Sequence, residues 1–93
     1  MMENSSLPLT TISSLDKSSI DRIVKINGEI TRVTETPGLY ILTIKDETAE
    51  ITSIIFKEES INIQKGKEIE IEGQITLYED KLEIIAKQIK NVD

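Results

Sequence analysis

Carboxylates are the most frequent chemically capable side chains in this sequence. Asp46, Glu47 and Glu50 sit within one short polar segment, and Glu68, Glu70 and Glu72 alternate along another. Oxygen ligands of this kind can hold Mg²⁺ or Ca²⁺, but the first segment lacks the alternating ligand loop that such a site needs. A solvated turn fits the spacing better, with Asp46 accepting from its own loop amides. The acids fall on a turn or on an outward strand face, so nothing splits their pKa values as a carboxylate hydrolase requires. The chain has no His and no Cys. That excludes imidazole acid–base catalysis, Ser-His-Asp and Cys-His nucleophiles, the usual zinc ligand sets and disulfides. No catalytic residue, cofactor or metal is expected, and the chain does not read as an enzyme.

The other side chains able to do chemistry are those that hold bases and phosphates. Binding of a single strand needs aromatic faces beside a basic track. The aromatic set is Tyr40, Phe56 and Tyr78. Tyr78, beside an exposed turn, is the best stacking candidate and otherwise an edge-strand tyrosine. Tyr40 reads as a plug at a barrel rim or as a stacking ring, and Phe56, ending an apolar run, reads as core. A formal net charge of −6 argues against a general nucleic-acid footprint. The cations are nonetheless grouped, with Lys81, Lys87 and Lys90 close together and the acids concentrated elsewhere. Such a dipolar surface can hide a binding groove under a negative average.

The elements that must position these groups are strands. Residues 1–18 are rich in Ser and Thr and read as a flexible N-terminal tail whose later part, around Ile12, Leu15 and Asp16, could lie on the domain as one capped turn. The domain itself is expected over residues 19–93. "IVKINGEITRV" alternates Val24, Ile26, Gly28 and Ile30 against Lys25, Asn27, Glu29 and Thr31. "TETPG" is a turn, "LYILTIKD" a second strand and "AEITSIIF" a third. "KEESINIQKG" holds one or two helical turns ended by Gly66. "KEIEIEGQITLY" puts Ile69, Ile71, Gly73, Ile75 and Leu77 inward, a tight turn falls at Glu79 and Asp80, and "KLEIIAKQIKNV" is the fifth strand. The pattern aliphatic-x-Ile-x-Gly-x-Ile-Thr occurs twice, around Gly28 and Gly73. A mid-strand glycine lets a long strand bend across the corner of a closed barrel, so the repeat reads as barrel geometry. The apolar stretches are short and the N-terminus lacks a secretory pattern, so a soluble cytoplasmic protein without a membrane segment is expected.

This order of elements, with "INGEIT", "GLYILTIKDETAEITSIIF", "KGKEIEIEGQIT" and "LYEDKLEIIAKQI", resembles the oligonucleotide/oligosaccharide-binding (OB) fold. Within it, the chain is similar to the branch found in anticodon-binding domains of class II aminoacyl-tRNA synthetases, the large subunit of bacterial exonuclease seven and archaeal replication protein A. The resemblance covers Ile20 to Val92. It implies an all-β, five-stranded Greek-key barrel with one short helix between strands 3 and 4, binding through strands 2 and 3 and the 1–2 and 4–5 loops. The positions it assigns to the ligand are Ile41, Thr43 and Lys45 on strand 2 and Thr52 and Ile54 on strand 3, with Tyr78 and Lys81 at the 4–5 loop. Phe56 falls at the end of strand 3, where either face is open to it. Arg32, Lys45, Lys81 and Lys87 are the expected phosphate contacts. Where an aromatic is often used for stacking, position 41 is Ile.

Two functions stand at this point. One is a binder of single-stranded DNA or RNA with modest, salt-dependent affinity. The other is a protein-interaction barrel, an accessory subunit or scaffold of a nucleic-acid-processing complex, docking through Ile41 and Ile54 or through the acidic fourth strand. A monomer or weak homodimer fits either.

Overall fold

The computed structural model describes residues 7–57 and 63–92. Five strands, β1 (Ile23–Glu35), β2 (Leu39–Lys45), β3 (Glu50–Phe56), β4 (Glu68–Tyr78) and β5 (Lys81–Asn91), close into a barrel in the order β1-β2-β3-β5-β4. All neighbours are antiparallel except β3 and β5, which run parallel over Thr52–Ile54 against Glu83–Ile85. Alternation along each strand decides which side chains enter. Ile26, Ile30, Leu42, Ile44, Ile69, Ile71, Ile75 and Ile84 are fully buried and fill the interior.

Closure depends on β1 serving two neighbours. Its first half, Ile23–Glu29, pairs with β4, and its second half, from Glu29, pairs with β2. Gly28 stands at that changeover, where a Cβ would lie 2.6 Å from Ile44 Cγ2 and 2.8 Å from the Lys45 carbonyl oxygen. Gly73 stands at the β4–β5 register shift opposite Ala86, and a Cβ there would overlap the Ile85 carbonyl. The repeated motif thus marks two barrel corners where backbones come too close for a side chain.

The inward alternation of β1 breaks once. The register slips between Ile30 and Arg32, so Thr31 is a bulged residue, Arg32 opposes Thr43, and Val33 returns to the interior. Leu77, expected inward, is 41% exposed because β4 runs past the rim of the core before the hairpin. The hairpin turn places Glu79 and Asp80 at φ 51° and 67°, the left-handed pair that a two-residue turn needs to match strand twist.

From Leu9 onward, the segment expected to be tail lies along the barrel. Leu9 bridges Lys25 in parallel, and the Thr10 amide donates to the Lys25 carbonyl at 2.8 Å. A 3₁₀ turn, Ile12–Ser14, buries Ile12 in the core. A second, Lys17–Ser19, is closed by a capping box in which the Asp16 carboxylate accepts from the Ser18 amide and the Asp16 amide donates to the Ser19 hydroxyl at 3.1 Å. These 3₁₀ turns before β1 are the helical elements among the described residues. The turns expected between β3 and β4 fall largely on residues 58–62, outside the described set. Gly66, with φ +93°, brings the chain into β4, its amide donating to the Ile30 carbonyl at 2.7 Å.

Candidate nucleic-acid interface

Strand register assembles the outward side chains into rows. Arg32 opposes Thr43, Thr43 opposes Thr52, Thr52 opposes Glu83 and Glu83 opposes Thr76, a polar row crossing all five strands. Beside it, Thr34, Ile41, Ile54, Ile85 and Gln74 form a second row with an apolar centre. Leu39 opposes Phe56 one step further toward the β1–β2 loop, and Lys45 opposes Glu50 at the other end. Polar groups thus gather toward the β4–β5 hairpin and apolar groups toward the β1–β2 loop.

Phe56, read from the sequence as core, is 49% exposed. Ile51, Ser53 and Ile55 point inward, so Phe56 follows Thr52 and Ile54 outward. The apolar run ending at Phe56 concealed this alternation, because Ile54, Ile55 and Phe56 are consecutive. Tyr78 is 60% exposed and opposes Lys81 across the hairpin. Tyr40 is half-buried against the core at the rim. Lys57 stands over its ring at 5.0 Å and pairs with Glu35 at 2.6 Å, while the Lys57 amide donates to the Gly38 carbonyl. These contacts tie the β1–β2 loop to the end of β3, and nothing in the spacing of Glu35, Tyr40 and Lys57 announced them.

Thr43, Thr52 and Lys81 line one groove of about 490 Å³, walled on its far side by Ile12, Ser13 and Leu15. Lys45 lines a separate groove of about 590 Å³ beneath Leu9–Thr11. Lys87 occupies the β5 bulge, two residues beyond Ile85. Arg32, Lys45, Lys81 and Lys87 are exposed, and none forms an ion pair among the described residues. Of the nine expected residues, Thr43, Thr52 and Lys81 share one groove and Lys45 lines the other, Arg32, Ile41 and Ile54 extend the two rows over β1, β2 and β3, and Tyr78 and Lys87 stand at the β4–β5 hairpin and the β5 bulge.

The acids behave differently from one another. Glu70 pairs with Lys25 at 3.9 Å and opposes Lys90, so the β4 stripe is partly neutralised by its neighbours. Among the described residues no group of His, Cys, Asp and Glu is arranged to hold a metal ion. Glu83 is half-buried in the middle of the polar row, and burial together with the nearby Glu79 raises its pKa. Its place in the face was not evident from composition.

Asp46 organises the β2–β3 turn as expected, accepting from the Thr48 and Ala49 amides at 2.7 and 3.0 Å, and it also accepts from the Ile12 amide at 2.8 Å. It thereby holds the N-terminal turn that walls the groove. Burial opposes ionisation, but these bonds and one from the Thr48 hydroxyl outweigh it and bring Asp46 down to about 2. A carboxyl depressed in this way stabilises the fold above its unfolded pKa of about 4, and the contribution disappears as pH falls toward 2. Solvent exposure reduces it to on the order of 1 kcal/mol. Asp46→Asn is expected to lower unfolding free energy by about that amount at pH 7, the difference closing by pH 2, as read by urea titration at both pH values.

Residues 24–92 match the family model described as OB-fold nucleic acid binding domain. The chain belongs to that family. Among curated proteins, the exodeoxyribonuclease 7 large subunit of Sulfurimonas denitrificans is 32% identical over 75% of this chain. The chain spans about a fifth of that relative, 18% of its length. Among solved structures, the aspartyl tRNA synthetase from Entamoeba histolytica superposes with a TM-score of 0.82 at 18% identity, over 94% of this chain and 21% of that one. A replication protein A heterotrimer bound to ssDNA gives 0.69 at 11% identity, over 76% of this chain and 57% of the other. The OB fold is thus shared with proteins of different activity. Within it the chain is an OB-fold binding module, all-β and five-stranded as expected, with its described helical turns before β1 and not between β3 and β4.

Proposed function

We propose that this OB-fold domain binds single-stranded nucleic acid across the outward face of β2, β3 and β5. The observation that carries the reading is the pair of adjacent rows, Arg32–Thr43–Thr52 and Ile41–Ile54–Ile85, flanked by exposed Phe56 and Tyr78. Aliphatic surface and two rings offer base faces a place to pack, and threonine hydroxyls beside Arg32 and Lys81 offer the backbone donors. One structural relative, the replication protein A heterotrimer, is bound to ssDNA, which supports the same direction. No catalytic step is assigned to the domain.

Arg32 and Lys81 supply phosphate contacts from opposite borders of the face. Each contact to a single strand contributes about 0.7 to the slope of log affinity against log salt. The double substitution Arg32→Ala and Lys81→Ala is expected to flatten that slope by about 1.4. Fluorescence anisotropy of a labelled oligonucleotide over a salt series measures it. An unchanged slope would remove both residues from the interface.

A protein-docking function is favoured by one observation, the apolar end of the face at Leu39, Ile41, Ile54 and Phe56. An interface built there changes little with salt, whereas phosphate binding weakens steeply. The salt series separates the two.

A further inference from the structure

The groove at Thr43, Thr52 and Lys81 has a wall that the five strands do not supply. Thr43 and Thr52 are cross-strand neighbours on β2 and β3, and on the far side of the groove of about 490 Å³ stand Ile12 and Leu15 of the N-terminal segment. That segment is fastened along its length. The Thr10 amide donates to the Lys25 carbonyl at 2.8 Å, the Ile12 amide to the Asp46 carboxylate at 2.8 Å and the Ser13 amide to the Thr48 hydroxyl at 3.0 Å, while the Ile12 side chain is seated in the core. Beyond Leu15, the Asp16 capping box and the Asp21 amide, which donates to the Ile75 carbonyl at 2.7 Å, hold the chain as it enters β1. A wall tied down at so many points is a fixed part of the groove, and a slot bounded on two sides grips a flat group by both of its faces.

We propose that this groove is a slot for one base of the bound strand, gripped between the half-buried Leu15 on the N-terminal wall and the Thr43–Thr52 pair on the barrel, a reading that rests on the face being a single-strand platform. The lining chemistry selects the occupant. Aliphatic surface from Leu15 and Ala49 suits the flat face of a base. The two threonine hydroxyls each donate and accept, so they satisfy a polar base edge without choosing among bases. A phosphate fits the interior poorly, because Glu50 is part of the lining and Lys81 is the one cation among the described lining residues. Lys81 is exposed, so it holds the backbone at the mouth while the base turns inward. Tyr78 opposes Lys81 across the hairpin, which sets the slot beside the ring already assigned to stacking. The N-terminal segment thereby acquires a binding role outside the five strands, with Asp46 and Thr48 as positioning residues that act through it.

The test is an abasic scan by anisotropy at low salt, in the shortest labelled oligouridine that reaches full affinity, so that a single register is populated. Each nucleotide in turn is replaced by its abasic counterpart. The parent chain is compared with Leu15→Ala, which opens the slot, and Ala49→Leu, which fills it. Removing a base held on two faces is expected to weaken binding roughly fivefold or more. Beyond the positions that Phe56→Ala and Tyr78→Ala desensitise, the parent should therefore show one further sensitive position. In both slot variants the loss at that position should fall below about twofold while the losses elsewhere are kept. If Ala49→Leu does not fold, Leu15→Ala alone decides. A profile that the variants leave unchanged, or one weakened by a single factor at every position, would overturn the slot and leave the platform standing. No binding of any oligomer by the parent would overturn the platform and the slot with it.

Discussion

Gly73→Ala is expected to lower the free energy of unfolding by about 3 kcal/mol or more, the largest single effect of any glycine substitution in the chain. The added methyl would overlap the Ile85 carbonyl oxygen and lie 2.9 Å from its carbon and 3.0 Å from Ile84 Cγ1. Most of that contact is backbone, held by both the β3–β5 and the β4–β5 ladders. It cannot turn aside as a side chain can, and overpacking of this kind typically costs about 1–3 kcal/mol, occasionally more. Gly28→Ala meets Ile44 Cγ2 as well as the Lys45 carbonyl, so part of its strain can be relieved and the loss should be smaller. Gly38→Ala meets nothing within 4 Å and is the control. Urea unfolding followed by far-ultraviolet circular dichroism should rank the three variants in that order. Equal stability of Gly73→Ala and Gly38→Ala would show that the corner is not closed as described.

The largest expected effect on binding comes from removing both exposed rings. Phe56→Ala and Tyr78→Ala should each weaken oligonucleotide binding by about 1–3 kcal/mol, roughly 5- to 150-fold. They stand at opposite ends of the face, Phe56 beside Leu39 and Tyr78 at the hairpin, so their losses should add. Both side chains are about half exposed or more, and folding stability should change by no more than about 0.5 kcal/mol. That separation of readouts matters for Phe56. A residue belonging to the core would destabilise the fold by several kcal/mol on truncation, whereas a platform residue loses binding alone.

Much of this fold could be read directly from the sequence because its strands alternate cleanly. In β4, Ile69, Ile71, Gly73 and Ile75 take the interior as period two requires, and the two glycine motifs fall on the two corners. What was hidden is what alternation cannot express. The Thr31 bulge changes which side chains of β1 face out, and it sets Arg32 opposite Thr43. Phe56 was obscured by an apolar run in which both faces of β3 are hydrophobic. Burial of Ile12 goes with long-range bonds that no local pattern encodes, its amide to Asp46 34 residues away and the Ser13 amide to the Thr48 hydroxyl 35 residues away. The place of Glu83 in the polar row follows from the parallel β3–β5 pairing, which brings together strands separated by an entire loop and a hairpin. The outward positions of β2 and β3, assigned through the resemblance, agree with strand parity, whereas the orientations of Phe56 and Glu83 depend on strand ends and topology.

The measurement that bears most directly on the central claim is the affinity of the parent protein for labelled single-stranded DNA and RNA oligonucleotides, by anisotropy, from low to physiological salt. With Arg32, Lys45, Lys81 and Lys87 as phosphate contacts, log affinity should fall against log salt with a slope of about −3. No binding at low salt, or binding that does not respond to salt, would contradict the assignment of this face to nucleic acid.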